Sequence, residues 1–414
     1  MSQIADIETI VSRGLCIGCG LCVSVLGEAS LKMKITTAGR LRPIVVTALS
    51  EPEMDQVRAV CPGVRVTAPK LSSSGPIHPL WGPIRTTHRG WAGDPDIRFT
   101  SAAGGSLTAL GAFLLETGKV DAVLHVRASK SNPMLTDALV STSRADVISG
   151  AQSRYGPSAP LVHVNRLLDA GRTFAVIGKP CDVAAIRNLA TIDARVAKQI
   201  PYCLTIFCGG LPSSYTAEKI SRYHGVEPDQ VSVFRFRGKG WPGPTRVETK
   251  TGETHDLTYR QTWFDSSVPW DYDIQFRCKI CPDAIGELGD IACPDGWVLK
   301  DGKTIHEEAP GVNVLIARTP IGEQLVADAA AARALRLAPF AAEELDVMHN
   351  DHFPRKLENP ARIAAMRLAG EPVPDFRNFR FWWTVLHAGV LRQLRGFAGT
   401  WRRIRRGANR EPIS

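Results

Sequence analysis

The sequence predicts a mixed α/β protein with a small cysteine-bearing module at its N-terminus and a basic helical tail at its C-terminus. Short apolar runs alternate with helical segments through the middle of the chain. Four of the ten cysteines lie within the first 61 residues, and nine arginines but no acidic residue lie between Phe376 and Arg410. We therefore expect a module (1–70), a core (76–345, in halves 76–160 and 161–345), a connector (346–375) and a tail (376–414).

The elements of the core follow from local composition. Residues 173–178 (TFAVIG) form an apolar, partly β-branched run that ends in glycine, which is typical of a buried strand. The other expected strands span 120–126, 203–208 and 312–318, and the expected helices span 107–117, 182–190 and 322–335. A polar linker, LSSSGP at 71–76, separates module from core. The prolines and charges of residues 346–374 indicate a connector.

The composition is that of a soluble globular protein. Of 414 residues, 44% are hydrophobic and 22% charged, and the length suits two to three domains. The net charge is +9, which the nine arginines of the tail account for, so the neutral body does not indicate nucleic-acid binding. No apolar segment of signal-peptide type opens the chain. We expect a cytoplasmic protein whose clustered cysteines are metal ligands or redox centres.

The first cysteine cluster is CIGCGLC, which contributes Cys16, Cys19 and Cys22, and it is followed at a distance by Cys61. Glycines at positions 18 and 20 permit the backbone turns of a tight loop. Three thiolates in such a loop can hold one face of a [4Fe–4S] cluster, and the distant fourth completes a Cys₄ set. Structural zinc is the alternative, although zinc sites more often use paired Cys-x-x-Cys motifs.

A second Cys-x-x-Cys pair, Cys278 and Cys281, needs two further ligands. Cys181 and Cys208 each lie at the predicted tip of a strand, where α/β sheets place functional residues. A helix N-terminus also favours a thiolate at Cys181. Geometry favours these two, with Cys293 as the competing ligand and ordinary buried cysteines as the other alternative.

Four segments occur in one order over about residues 80–340: SAAGGSLTALGAFLLETGKVDAVL, GKPCDVAAIRNL, IFCGG and RCKICPDAIGELGDI. Together they resemble the beta-subunit family of coenzyme F420 hydrogenases and dehydrogenases. The resemblance implies one polypeptide that binds FAD and a [4Fe–4S] cluster, the latter through Cys181, Cys208, Cys278 and Cys281. Cys203 and Cys293 would then not be ligands.

The N-terminal CIGCGLC module resembles the extension of relatives that carry two clusters. Those relatives include plant-type 7-hydroxymethyl chlorophyll reductases and ferredoxin-dependent divinyl chlorophyllide 8-vinyl reductases. The resemblance thus implies a second [4Fe–4S] cluster, held by Cys16, Cys19, Cys22 and Cys61. In the GKPC loop, Lys179 replaces a threonine that many relatives have before the proline. We expect Gly178 and Lys179 to contact a cofactor, with the lysine placing a cation beside the cluster or flavin.

The segment SAAGGS precedes a predicted helix. The amides and dipole of a helix N-terminus favour a phosphate. Taken alone, a glycine pair before a helix is usually just a loop. The resemblance makes this segment the expected FAD contact, through Ser101, Gly104, Gly105 and Ser106.

Two other segments are weaker candidates for cofactor contacts. Ser153, Arg154 and Tyr155 offer a hydroxyl, a guanidinium and an aromatic face, with a surface turn as the alternative. Residues 238–243 (GKGWPG) match G-x-G-x-x-G, but the prolines at 242 and 244 forbid the helix that a Rossmann fingerprint requires. We interpret this segment as a loop over the cofactor or a loop with no ligand.

The catalytic residues are not evident from the sequence. Lys179 is one weak candidate, and Asp283 and Glu287 are two others. At i and i+4 the two acids would share one face of a helix, where one of them would relay a proton. Asp290 also lies near the Cys-x-x-Cys pair, and solvated surface acids are the commoner case for such residues.

These features predict an FAD- and iron–sulfur-dependent oxidoreductase. Electrons would pass between a ferredoxin-like donor, or reduced coenzyme F420, and an organic acceptor, because a flavin joins two-electron to one-electron chemistry. A tetrapyrrole reductase, a non-catalytic electron-relay subunit docked on a larger oxidoreductase, and a zinc-stabilised interaction protein are the alternatives.

The arginine-rich tail, residues 376–414, is a separate matter. Aromatic residues alternate with arginines at its start, and Val385, Leu386, Val390, Leu391 and Leu394 supply an amphipathic stripe. The segment is too charged to span a bilayer. It suits an anionic membrane surface or an acidic partner rather than nucleic acid. A helix packed on its own domain is the alternative.

Overall fold

An eight-stranded mixed sheet forms the centre of the protein, so the predicted α/β class is confirmed. The computed structural model describes residue 4 and residues 6–70, 77–270, 273–350 and 352–412. The predicted linker at 71–76 lies outside the described residues.

The helices and strands have the following bounds. The helices are α1 (Ile7–Ser12), α2 (Leu21–Leu26), α3 (Glu51–Val60), α4 (Pro95–Thr100), α5 (Ser106–Glu116), α6 (Arg144–Ser149), α7 (Val164–Asp169), α8 (Pro180–Leu189) and α9 (Arg195–Gln199). They continue with α10 (Tyr215–Tyr223), α11 (Tyr259–Phe264), α12 (Phe276–Lys279), α13 (Pro320–Ala331), α14 (Glu344–Met348), α15 (His352–Leu368), α16 (Phe381–Ala388) and α17 (Val390–Arg405). Short 3₁₀ helices span Pro160–His163 and Pro228–Gln230. The strands are β1 (Leu31–Ile35), β2 (Leu41–Val45), β3 (Arg65–Thr67), β4 (Ile77–His78), β5 (Gly82–Pro83), β6 (Thr86–Ala92), β7 (Ala122–Ala128), β8 (Thr136–Ser141), β9 (Phe174–Gly178) and β10 (Tyr202–Thr205). They continue with β11 (Val231–Arg235), β12 (Thr245–Thr249), β13 (Thr254–Leu257), β14 (Ile291–Ala292), β15 (Val298–Lys300), β16 (Lys303–Ile305), β17 (Asn313–Ala317), β18 (Leu335–Pro339) and β19 (Asp375–Arg377).

The central sheet has the order β18-β6-β17-β14-β10-β9-β7-β8. Its middle strands β7, β9, β10 and β14 are parallel, whereas the strands on either side pair antiparallel. Side chains alternate across β9, so that Phe174 and Val176 belong to one apolar core and Ala175 to the other. Burial on both faces explains why this strand is a continuous apolar run.

Most predicted core elements occur close to their expected bounds. The strand expected at 203–208 ends at Thr205, because Ile206 and Phe207 leave the sheet. The helix expected at 322–335 ends at Ala331, and Leu335 begins β18. Pro180 is at the first turn of α8, where its fixed φ and missing N–H suit a helix start.

The N-terminal module packs directly on the core. Ile17 and Cys19 share an apolar cluster with Val176 of β9, and Leu15 and Cys16 share another with Phe276. The two cysteine-bearing regions are therefore joined by common packing.

The interpretation of residues 346–375 as a connector is wrong, because most of this region is helical. Residues 352–368 form the 17-residue helix α15, with Pro360 inside it. Leu357, Ile363 and Met366 of α15 are buried, and this apolar face outweighs the low helix propensity of the proline.

The tail begins as a strand and continues as two helices. The strand β19 pairs with β3 of the N-terminal module, and α17 packs against α15. Gly396 makes the close approach of these helices possible, because a Cβ there would lie 2.8 Å from that of Glu358. None of the helices in the described part of the chain has the length and apolar character that crossing a bilayer requires. Self-packing is thus present, as the alternative reading of the tail predicts.

Candidate redox site

The four N-terminal cysteines line one cavity. Cys16 and Cys19 lie in the loop between α1 and α2, and Cys22 lies in the first turn of α2. Cys61 follows α3 directly, and all four residues line the cavity. Gly18 and Gly20 have positive φ, and the Gly18 amide donates to the Cys16 sulfur at 3.4 Å. The loop therefore directs thiols inward and offers an amide to sulfur, which is the donor pattern of an iron–sulfur ligand loop.

The thiols of this N-terminal set act on one another electrostatically. Burial and the nearby Cys16 thiol raise the pKa of Cys61 to about 12. Burial and the thiols of Cys16 and Cys61 also raise the pKa of Cys22. Buried thiols in this environment hold negative charge only together with a cation, as in a metal centre.

The four cysteines that the resemblance assigns to the other cluster also come together. Cys181 is in the first turn of α8, Cys208 lies beyond the end of β10, and Cys278 and Cys281 are in and just after α12. Burial and the neighbouring thiols of Cys278 and Cys281 raise the pKa of Cys208 to about 12. Burial, Asp182, Cys208 and Cys278 raise the pKa of Cys181, against the effect of Lys179.

Cys203 and Cys293 stay apart from both sets. Burial raises the pKa of Cys203 to about 11, and the charges that act on this thiol belong to Arg187 and Asp290. Burial alone raises the pKa of Cys293. The structure therefore brings Cys208, and not Cys293, to the Cys-x-x-Cys pair, while ligation itself stays a prediction.

The two sets suit a polynuclear centre in their chemistry. The ligands of a [4Fe–4S] cluster bind four separate iron atoms, so they surround a cavity rather than one point.

Lys179 lies beside the second set of cysteines. Its ammonium group contacts Asp182 at 2.8 Å and Ser158 at 3.2 Å. Burial acts to lower the pKa of Lys179, but Asp182 and the Cys181 thiol raise it above its ordinary value. The expected cation next to this site is therefore present and charged, and Gly178, whose carbonyl accepts from Thr205 at 2.8 Å, precedes it.

The predicted flavin segment SAAGGS joins α4 to α5. Gly105 has a φ of +76°, and the Gly104 backbone is pressed against Asn313 and Gly90, where a Cβ would lie 2.7 Å from backbone atoms. The Ser106 amide donates to the Asn313 side chain at 3.2 Å, so this helix N-terminus already has one internal partner.

Polar atoms without a partner occur on this segment. The hydroxyl oxygens of Ser101 and Ser106 are buried and have no hydrogen-bond partner among the described residues. Buried polar groups are normally satisfied, so such orphans fit a polar ligand.

Arg154 has a different environment from the predicted one. Its guanidinium donates to the carbonyls of Phe234, Pro133 and Leu135 at 2.9, 2.7 and 2.7 Å. Burial lowers the pKa of Arg154 to about 10. The side chain of Arg154 thereby links loops to one another, and cofactor contact stays a prediction for Arg154 and for its half-buried neighbour Ser153.

Arg237 is a candidate site residue that the sequence analysis missed. It is 3% exposed and pairs with Asp295 at 2.9 and 3.1 Å. It also donates to the Ala102 carbonyl at 2.8 Å and to the Tyr155 hydroxyl at 3.4 Å. The two segments predicted to bind flavin therefore meet at this guanidinium. The only sequence signal was its position directly before the glycine loop.

The glycine loop, residues 238–243, contacts the same region. The amide of Gly240 donates to the Phe99 carbonyl at 3.1 Å, and a Cβ on Gly238 would lie 2.7 Å from the Thr100 carbonyl. The strand β12 follows the loop, so no Rossmann helix is present, as predicted. The indole nitrogen of Trp241 is a further buried group without a partner in the described part of the chain.

Asp283 and Glu287 are buried, so their interpretation as solvated surface acids is wrong. They lie in a turn rather than on one helical face, and the Glu287 amide donates to Asp283 at 2.7 Å. Glu287 forms ion pairs with Lys356 and Arg380. Burial acts to raise the pKa of Glu287, but these two cations lower it below its ordinary value. Burial and Glu287 raise the pKa of Asp283 to about 6, and its proton-relay role stays a prediction.

Comparison with known proteins identifies the family. Residues 87–165 match the family model for the coenzyme F420 hydrogenase/dehydrogenase beta subunit N-terminus, and residues 171–343 match the model for the C-terminus of the same subunit. The chain belongs to the coenzyme F420 hydrogenase/dehydrogenase beta-subunit family. The matched residues include the cysteines at 181, 208, 278 and 281 but not the N-terminal module.

Three curated relatives are similar to this chain over part of its length. The F420-dependent formate dehydrogenase 1 subunit beta of Methanococcus maripaludis is 30% identical over 242 residues, which are 58% of this chain and 57% of the relative. The F420-dependent formate dehydrogenase subunit beta of Methanocaldococcus jannaschii is 27% identical over 52% of this chain and 54% of its own length. The coenzyme F420-dependent sulfite reductase of the same organism is 24% identical, over 54% of this chain and 34% of the relative. The chain thus spans about half or less of the length of these relatives.

A solved structure shares the fold. A chain of the F420-reducing [NiFe] hydrogenase complex from Methanosarcina barkeri aligns with a TM-score of 0.57 and 18% identity. The alignment covers 73% of this chain and 99% of that chain. The α/β architecture described above is therefore the architecture of that subunit.

Proposed function

We propose that this protein is a cytoplasmic FAD- and iron–sulfur-dependent oxidoreductase with two [4Fe–4S] clusters. Its electrons pass between a one-electron donor of the ferredoxin type, or reduced coenzyme F420, and an organic acceptor. The relatives named as F420-dependent enzymes support the deazaflavin as one candidate substrate. The observation that carries the proposal is the gathering of eight cysteines into two sets of four, with Cys203 and Cys293 left out.

The residues of the chain would divide the work as follows. Cys16, Cys19, Cys22 and Cys61 would hold one cluster, and Cys181, Cys208, Cys278 and Cys281 would hold the other. Lys179 places a fixed positive charge next to the second set. A bound flavin would supply the exchange between two-electron and one-electron chemistry.

Flavin binding is proposed for the region around Arg237. The buried orphan atoms of Ser101, Ser106 and Trp241 lie on the segments that meet near it, and these atoms can bond a nucleotide cofactor. Tyr155 contributes an aromatic ring that packs edge-on against Phe236 at 5.3 Å. The buried Arg237, which is paired with Asp295, holds these segments together.

The test compares cysteines inside and outside the two sets. Anaerobically purified protein is expected to be brown, with about eight iron atoms per chain and bound FAD. Cys208→Ser removes a ligand and is expected to halve the iron content, whereas Cys293→Ser, at a buried cysteine with no thiol beside it, is expected to leave it unchanged. A colourless protein that holds only zinc, or equal iron in the two variants, contradicts the proposal.

A second candidate function is an electron-relay subunit without its own substrate. The two formate dehydrogenase relatives are named as subunits, which favours docking on a partner oxidoreductase. Turnover of a small acceptor by the isolated chain distinguishes the enzyme, including a tetrapyrrole reductase, from the relay.

We also propose that the tail binds an anionic membrane surface. Trp382 and Leu391 are each 84% exposed and Leu386 is 78% exposed, at the corner between α16 and α17, and the arginines of α17 lie alongside. Exposed apolar side chains bordered by cations suit anionic headgroups, to which each basic residue contributes about 1 kcal/mol.

Flotation with vesicles decides between a membrane and a protein partner. The wild type is expected to float with phosphatidylglycerol vesicles more than with phosphatidylcholine vesicles. The exposed pair Trp382→Ser and Leu391→Ser is expected to reduce flotation. Absence of binding to phosphatidylglycerol vesicles contradicts the membrane proposal and leaves an acidic protein as the partner class.

A further inference from the structure

Arg277 extends from the second Cys-x-x-Cys segment into the N-terminal module. It directly precedes Cys278 in α12 and is only 2% exposed. Its Nη2 donates to the carbonyl of Pro62, the residue after Cys61, at 3.0 Å. Its guanidinium carbon lies 4.9 Å from the centroid of the Phe376 ring. Arg277 thus lies next to a proposed ligand of each cluster. It precedes Cys278 in the chain, and its side chain contacts the backbone next to Cys61.

The charge of Arg277 is not balanced by a carboxylate. Throughout the described ranges, no Asp or Glu oxygen lies within ion-pair distance of this guanidinium, and its Nε has no hydrogen-bond partner. Arg42 and Arg237 are by contrast paired, with Glu411 at 2.7 Å and with Asp295 at 2.9 Å, whereas buried Arg318 is, like Arg277, bonded to carbonyl oxygens. Burial of a cation costs free energy, so a negative group placed next to Arg277 would interact with it strongly.

The nearby groups that can be negative are thiolates. The guanidinium of Arg277 is bonded to the residue after Cys61, and Arg277 directly precedes Cys278 in the chain. Cys61 belongs to the N-terminal set and Cys278 to the second set. Thiolates that held an iron–sulfur cluster would be ionised and would supply negative charge near Arg277.

We propose that Arg277 is the shared counter-ion of the two iron–sulfur clusters and the electrostatic link between them. This inference rests on the proposed function. A positive charge next to both cysteine sets would favour the reduced, more negative state of a cluster held by each and would raise both midpoint potentials. Because Arg277 lies beside both sets, its side chain would keep its position whichever of the two held the extra negative charge.

A matched control is available in the same interface. Arg40 of the module donates to the Leu211 carbonyl at 3.0 Å and pairs with Asp273 at 2.7 Å, so this arginine also bridges module and core. Because Asp273 neutralises Arg40, the double substitution Arg40→Gln, Asp273→Asn removes these polar groups without changing the net charge.

The test is a redox titration of the full chain, followed by electron paramagnetic resonance, with iron content measured in parallel. Arg277→Gln can still donate to the Pro62 carbonyl but carries no charge. It is expected to retain iron and to shift both reduction equilibria about tenfold toward the oxidised state, which is about 59 mV per one-electron couple. Arg277→Lys is expected to restore both potentials, and the Arg40/Asp273 control is expected to leave them in place.

Unchanged potentials in an iron-replete Arg277→Gln protein, or a shift of one couple alone, overturn the proposal. If Arg277→Gln loses its iron, Arg277→Lys decides. Retention of iron and wild-type potentials by the lysine variant supports a requirement for the charge, whereas loss of iron shows that Arg277 serves packing only. Absence of clusters from the wild type contradicts the proposed function itself and is seen before any variant is made.

Discussion

Gly18 offers the sharpest test of how the first cysteine loop holds its site. Its φ is +75°, and a Cβ at this position would lie 2.5 Å from the Leu41 carbonyl oxygen, closer than Cβ atoms come to any atom. Gly18→Ala therefore adds a conformational cost of about 1 kcal/mol and a clash that the backbone relieves only by moving about 0.5 Å. Movement of this size displaces the sulfurs of Cys16 and Cys19, which flank the glycine.

Gly27 provides the control for Gly18→Ala. It has a φ of +85°, and nothing lies within 4 Å of a Cβ built on it. Gly27→Ala is expected to lower the free energy of unfolding by about 1 kcal/mol and to leave the iron content intact. Gly18→Ala is expected to lose more stability and about half of the iron.

Urea denaturation and iron analysis under anaerobic conditions measure both quantities for Gly18→Ala and Gly27→Ala. Equal stability loss and equal iron content in the two variants would show that the loop tolerates the displacement. The argument that the Gly18 backbone positions the thiols would then be refuted.

Three further predictions concern buried charges and the proposed flavin region. Glu287→Gln leaves buried Lys356 and half-buried Arg380 without their carboxylate and is expected to lower the free energy of unfolding by about 3–5 kcal/mol in urea denaturation. Burial lowers the pKa of His125 from 6.5 to about 4, so the unfolded chain takes up this proton first as the pH falls. The stability it contributes is complete above pH 6.5 and declines by about 3 kcal/mol toward pH 4, a decline that His125→Gln removes. Arg237→Gln is expected to lower the FAD-to-protein ratio measured by absorbance, because it removes the group that joins the two flavin segments.

Each of these predictions has a control and a contradicting result. Arg246→Gln removes an exposed ion pair with Asp256 and should keep its FAD, so equal flavin loss in the two arginine variants contradicts the role of Arg237. A Glu287→Gln protein within 1 kcal/mol of the wild type would show that its two cations find other partners. For His125, identical pH profiles in wild type and variant assign the decline to other groups.

The sequence is informative where one physical constraint acts alone. The run at 173–178 is apolar because both faces of β9 are buried, so its strand was predictable. The grouping of Cys181 with Cys208 was predictable from the sequence because the tips of parallel strands meet at one edge of a sheet. Position 208 also shows the limit of this argument, since the thiol reaches its partners from a loop rather than from the strand itself.

Features that depend on distant partners were not predictable. Helix α15 contains a proline and many charges, and only its packing against α17 makes a helix favourable there. In the sequence alone, Arg237 does not differ from the other arginines. Only its contacts with Ala102 and Asp295 distinguish it. The burial of Asp283 and Glu287 depends likewise on cations supplied from residues 356 and 380.

Residues near the end of the described chain contact residues near its start. Glu411 pairs with Arg42 beside the CIGCGLC loop, and its amide donates to the Ser12 carbonyl at 3.0 Å. The contacts around this loop are therefore completed only after residue 411 has been synthesised. A protease cut or an insertion near residue 411 is accordingly expected to disturb the N-terminal module, although the two are far apart in sequence.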